Sequence, residues 1–156
     1  MKDFIEKINT IELLAKHEEA LADLYLVYSE LFPECKAWSF LYGEETKHAD
    51  WILSILDNVS EGSIEFDDMH FSERSIAISI NSLKKHLEEA KNSDINLKQA
   101  LDKAYFLENS ILENKFLDYF FSSDENIQEV IDNLKSDTYD HRDLIQKEKD
   151  ILKDSD

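Results

Sequence analysis

The sequence predicts an all-α fold: four long helices in two hairpins, linked by a long connection that contains a helix of its own. Three observations predict it. The chain of 156 residues holds two glycines and one proline, too little turn chemistry for a sheet built from many hairpins. Apolar residues recur at spacings of three and four over long windows, the period of a helix with one buried face. At 42% hydrophobic content, a chain of this length can form one sizeable core, so residues 1–156 are expected to make a single domain.

The first long helix is expected over about 10–31, capped by Asn9 or Thr10, with Glu12 completing a capping box from Asn9. Pro33 interrupts the period, and a second helix is expected over about 34–56. Residues 57–72 lose the helical period, contain Gly62 and several acidic and cap-type residues, and read as a loop. Ile76, Ile80, Leu83, Leu87 and Ala90 then form one stripe, placing a crossover helix over about 73–91. Leu97, Leu101, Ala104, Leu107, Ile111, Leu112 and Phe116 predict a helix over about 95–121. Ser122 and Glu125 suggest a further capping box. The last helix, about 124–153, carries Ile127, Val130, Leu134, His141, Ile145 and Leu152 on one stripe.

Charge narrows the range of partners. With 35 acidic against 17 basic residues and a net charge of −18, the chain would repel phosphate backbones and anionic membrane surfaces, which argues against nucleic acid and membrane partners. Cys35 is the single cysteine, so no internal disulfide, CxxC pair or four-thiolate metal site can form. Neither a signal peptide nor a membrane-spanning run is read in the sequence, and a cytoplasmic location is expected.

The seams hold residues that a dry helical core would not choose. On the first helix, Ile11, Leu14, Glu18, Leu21, Tyr25, Tyr28 and Phe32 share a face; on the second, Trp38, Leu41, Glu45, His48, Ile52 and Ile55 do. Glu108 falls between Ala104 and Ile111, and His141 between Leu134 and Ile145. Each hairpin thus brings a glutamate on its first helix and a histidine on its second. A buried carboxylate costs several kcal/mol unless it is paired or binds a metal. Carboxylates with neutral imidazoles suit first-row divalent ions, and the i, i+3 spacing of Glu45 and His48 lets both reach one ion. The same residues also suit a metal-free buried network of glutamates paired with histidines.

The stretches HEEALADLY, EETKH, FLENSILENKF and TYDHRDL, which carry these residues, resemble the rubrerythrin-type domain of the ferritin-like superfamily over nearly the whole chain. The resemblance implies a ferritin-like four-helix bundle enclosing a dinuclear iron centre, with manganese or zinc as alternatives. It implies Glu18 and Glu108 as terminal ligands, His48 and His141 on one metal each, and Glu45 as the bridge. It further implies an oxidoreductase acting on peroxide or ferrous iron. Without a paired-cysteine electron-transfer module, electrons would come from an external donor. One position departs from the pattern: Thr138 stands where the family has the second bridging glutamate. That departure supports an alternative, a non-catalytic helical module acting in metal handling or protein contacts.

Other residues receive lesser expectations. Tyr25, Tyr28 and Tyr42 are expected to fill the core, with a hydrogen-bonding role near the centre as the other reading. Gly43 is expected to permit a close helix approach, Lys115 to reach the surface, and His17, His70 and His86 to be surface residues. Phe106, Phe116, Phe120 and Phe121 cannot all face one interior, which suggests a homodimer.

Overall fold

A computed structural model of the chain describes residues 2–58, 64–66, 73–113 and 120–155. It is all-helical in class, with five helices among the described residues: α1 (Lys2–Leu31), α2 (Ala37–Asn58), α3 (Glu73–Lys91), α4 (Leu97–Glu113) and α5 (Glu125–Asp154). Two short strands, β1 (Ile64–Phe66) and β2 (Phe120–Ser122), pair antiparallel with Ile64 opposite Ser122. β1 lies inside the segment read from sequence as loop. β2 takes residues that the sequence places at the end of a helix, which is a correction: that helix is described only to Glu113. Aromatic and β-branched residues such as Phe120, Phe121 and Ile64 favour a strand once a partner strand is beside them. Lys115, Phe116 and His70 lie outside the described residues, as do the side chains of Phe120 and Phe121.

Helix ends follow local chemistry. α1 begins at Lys2, well before the expected cap, and Thr10 is internal, its hydroxyl donating to the Glu6 carbonyl at 2.8 Å. The pattern before residue 10 is already compatible with a helix, and packing rather than capping decides the start. Asn96 and Gln99 form a reciprocal box at the start of α4, each side chain accepting from the other's backbone N–H at 2.9 Å. Asp124 caps α5, accepting from the N–H groups of Asn126 and Ile127. Ser122 instead accepts from the Asp124 N–H.

α1 packs on α2 and α3, α4 packs on α5, and α2 on α5 joins the two hairpins. The apolar interior is divided. One cluster includes Leu21, Tyr25, Tyr28, Trp38, Leu41, Leu101, Ala104 and Ile145. The other includes Ile11, Leu14, Ile52, Ile55, Ile131 and Leu134. On α1, α2 and α5 the buried residues lying between the two clusters in sequence include Glu18, the Glu45 and His48 pair, and the Thr138 and His141 pair. A polar layer therefore interrupts the core at one level. No helix among the described residues is long and apolar enough to cross a membrane.

Gly43 does not serve the close approach its sequence position suggests. It is exposed, and a Cβ built there meets nothing within 4 Å. Gly43→Ala is expected to stabilise the protein by about 0.5–1 kcal/mol through helix propensity and reduced freedom of the unfolded chain. Urea denaturation monitored by circular dichroism measures it, and a loss of stability would give Gly43 a role that its surroundings do not suggest.

Candidate metal centre

Glu45 is the hub of the polar layer. It projects from the middle of α2, one turn before His48, because i, i+3 positions share the buried face of a helix. Its Oε2 lies 3.2 Å from His48 Nδ1 and its Oε1 lies 2.9 Å from His141 Nδ1, on α5. Each carboxylate oxygen thus faces an imidazole. The two rings stack at 5.1 Å with an interplanar angle of 18°. One ligand atom from each of Glu45, His48 and His141 lies within 4.8 Å of the others, a grouping able to hold a metal ion.

Glu18 from α1 and Glu108 from α4 complete the layer. Both hydrogen-bond to Glu45, and Glu108 Oε1 lies 3.9 Å from His141 Nδ1. All five residues expected from the sequence are therefore brought together, none more than 4% exposed. Tyr25 holds Glu108 from behind, its hydroxyl donating to Oε1 at 2.8 Å. It also packs against Trp38, ring centroids 5.6 Å apart, so it serves the core and the site at once.

Three carboxylates in one dry layer cannot all be ionised. Burial pushes Glu18 and Glu108 well above the usual carboxylate range, and the negative charge of Glu45 pushes both further. Burial raises Glu45 too, while hydrogen bonds with Glu18 and Glu108 pull it back. The outer glutamates are thus the proton holders and Glu45 the acceptor. Burial lowers His141, opposed first by Glu108. Among the described residues, the groups acting most strongly on these glutamates include acids, Tyr25 and the imidazoles, but no lysine or arginine.

Asp137 also reaches the layer. From sequence it points away from its own seam, yet its Oδ2 lies 3.0 Å from His48 Nε2. A position flanking one helix's seam faces the adjoining helix, and α5 lies against α2. The carboxylate orients the ring and leaves Nδ1 aimed at Glu45. The available signal was an acid one turn ahead of His141. Thr138 is buried beside it, and its hydroxyl donates to the Leu134 carbonyl at 2.8 Å, so its proton serves its own helix.

His17 is not a surface residue. It is 1% exposed, with Nε2 2.8 Å from the Ser79 hydroxyl on α3, which covers this side of α1. Burial lowers its pKa to about 4. The unfolded chain, near 6.5, takes up the proton first as pH falls, so stability is full above about 6.5 and declines towards 4. The loss is expected to reach roughly 3 kcal/mol. His17→Gln should flatten that part of the profile, measured as unfolding free energy at pH 7.5 and 4.5; an unchanged slope would assign it to other groups. His86 is half-buried, within 3.8 Å of Glu89 and 3.5 Å of Lys103. Burial raises the Cys35 thiol to about 11, so it stays protonated near neutrality.

Compared with family models, curated proteins and solved structures, the chain matches none.

Proposed function

We propose that the protein is a rubrerythrin-like, metal-binding helical bundle of ferritin-like type, holding iron as a dinuclear centre and acting as an oxidoreductase on peroxide or ferrous iron. The observation that carries this reading is the convergence on Glu45: two imidazole Nδ1 atoms face its two oxygens, with two more buried glutamates bonded to it. An apolar interior tolerates such a group when a cation balances it. The donor set fits iron, manganese or zinc, as oxygen and imidazole ligands suit each.

Glu18 and Glu108 would hold the metals from the outside, His48 and His141 would take one each, and Glu45 would lie between. Iron held there would supply the electrons for peroxide reduction, or would itself be the substrate oxidised. The chain's own residues prepare the site. Asp137 fixes the His48 ring, Tyr25 fixes Glu108, and the apolar clusters on either side keep out bulk water. Glu18 and Glu108, both raised by burial, would give up their protons in order to hold a metal. A separate donor protein or small molecule would return electrons. Phe106, 64% exposed on α4, offers one contact for a homodimer.

One observation favours a second reading. Thr138 supplies no carboxylate, so the half of the site on α4 and α5 has fewer donors than the half on α1 and α2. This suits a non-catalytic module for metal handling or protein contacts. Anaerobic loading with ferrous iron, removal of loose ions and elemental analysis separate the two. About two irons per chain is the expected result and leads to peroxide and oxygen assays. About one would mean a reduced site. None, with manganese and zinc also unbound, would leave the carboxylates as structural groups.

A further inference from the structure

Away from the polar layer, the start of α4 and the end of α5 enclose a cleft of about 720 Å³, within the range of small-molecule sites. Its floor is Leu97, Leu101 and Leu152, three side chains that belong to or pack against the larger apolar cluster. Leu101 is buried, whereas Leu97 and Leu152 are partly open. The spacing of Leu97 and Leu101 sets both on one face of α4, and α5 packs against α4. Around this floor stand three lysines and two aspartates. Asp102 joins two of the lysines: its Oδ2 lies 3.0 Å from Lys98 Nζ and its Oδ1 lies 3.1 Å from Lys149 Nζ. Lys149 also lies 4.8 Å over the Tyr105 ring. Asp150 accepts from the Gln146 amide at 2.9 Å. Lys153, exposed in the last turn of α5, is the cation that these pairs leave over. Three lysines against two aspartates give the cleft one excess positive charge, in a chain whose net charge is −18.

We propose that this cleft binds a small carboxylate carried on an unbranched apolar chain, with the chain on Leu97, Leu101 and Leu152 and the carboxylate among the lysines. The inference goes beyond the metal-centre reading and stands without it, since no residue lining the cleft belongs to the polar layer.

Charge and surface together select that class. One excess positive charge suits a monoanion, and a dianion such as phosphate would leave a charge over. A bare anion would also have little to hold it. Lysines at a solvated rim contribute little to an ion pair, and the acid excess of the rest of the chain repels anions at long range. The apolar floor changes that balance, because each methylene taken out of water multiplies affinity by about four. An apolar cation would find the same floor but meet the lysines. An uncharged chain would gain nothing from them.

Sodium decanoate is the probe, titrated calorimetrically into the wild-type protein, with octanoate, decylamine and inorganic phosphate as comparisons and amide signals followed by NMR in 15N-labelled protein. Decanoate should bind one to one and shift the amides at the start of α4 and in the last turns of α5. Octanoate, two methylenes shorter, should bind about 15-fold more weakly, and phosphate and decylamine should show no saturable binding. Lys153→Glu, at an exposed position, should weaken decanoate roughly tenfold with the melting temperature unchanged. Leu97→Trp, which fills the cleft, should abolish the shifts. Decanoate affinity of Lys153→Glu within about twofold of wild type, shifts that fall elsewhere, or decylamine bound as tightly as decanoate each overturns the proposal. So does a cleft closed by a second copy, seen as the same amides shifting with protein concentration when no decanoate is present.

Discussion

Glu45→Ala should strip the protein of metal. Iron per chain is expected to fall from its wild-type value to near zero, since this substitution removes the one carboxylate that faces both imidazoles. The effect should exceed the roughly 10–100-fold loss typical of a residue that only supports a ligand. The metal-free variant should also be less stable. His48 Nδ1 and His141 Nδ1 lose their partner, Glu18 and Glu108 lose their shared acceptor, and each buried polar group left unmet costs about 1–3 kcal/mol. Glu45→Gln separates the two effects. It keeps the volume and much of the hydrogen bonding, so the fold should survive while metal affinity drops by about 100-fold or more. Full iron occupancy in folded Glu45→Ala would sink the proposed centre.

Thr138→Glu should act in opposite directions on the two forms of the protein. The side chain is 3% exposed and lies one turn ahead of His141, in the same layer as Glu45. In the metal-free protein a fourth carboxylate enters a layer that already cannot ionise three, at a cost of several kcal/mol, and thermal stability should fall. With iron present the new group supplies the donor that this half lacks. Metal stoichiometry or peroxidase turnover should rise, and the gap in melting temperature between metal-free and loaded forms should widen. If neither stoichiometry nor turnover changes, the non-catalytic module becomes the better account.

These experiments address residues whose importance was visible at very different depths. Glu18, Glu45, His48, Glu108 and His141 stand out in the bare sequence because each interrupts an apolar stripe with the helical period. Asp137 does not, since it sits beside a stripe rather than in it. Whether such a flank meets solvent or a neighbouring helix depends on how closely two helices pack and how each is rotated about its axis. His17 failed for the same reason: α3, a connecting helix, covers the side of α1 on which it lies. The β1 and β2 ribbon was equally hidden, because a strand of three residues becomes recognisable only when its partner is adjacent.

By itself the sequence determined the helical class, five helices to within a few residues at most boundaries, and a set of carboxylates and imidazoles on the buried faces. Those are consequences of local spacing, where residues three and four apart share a face whatever the rest of the chain does. Only the tertiary structure decided which atoms meet: the two oxygens of Glu45 with two imidazoles, Tyr25 with Glu108, Asp137 with His48, and His141 Nε2 with none of the described residues. Those contacts join residues as far as 96 positions apart, and their geometry is set by the packing of one helix on another, which no repeat within a single helix encodes.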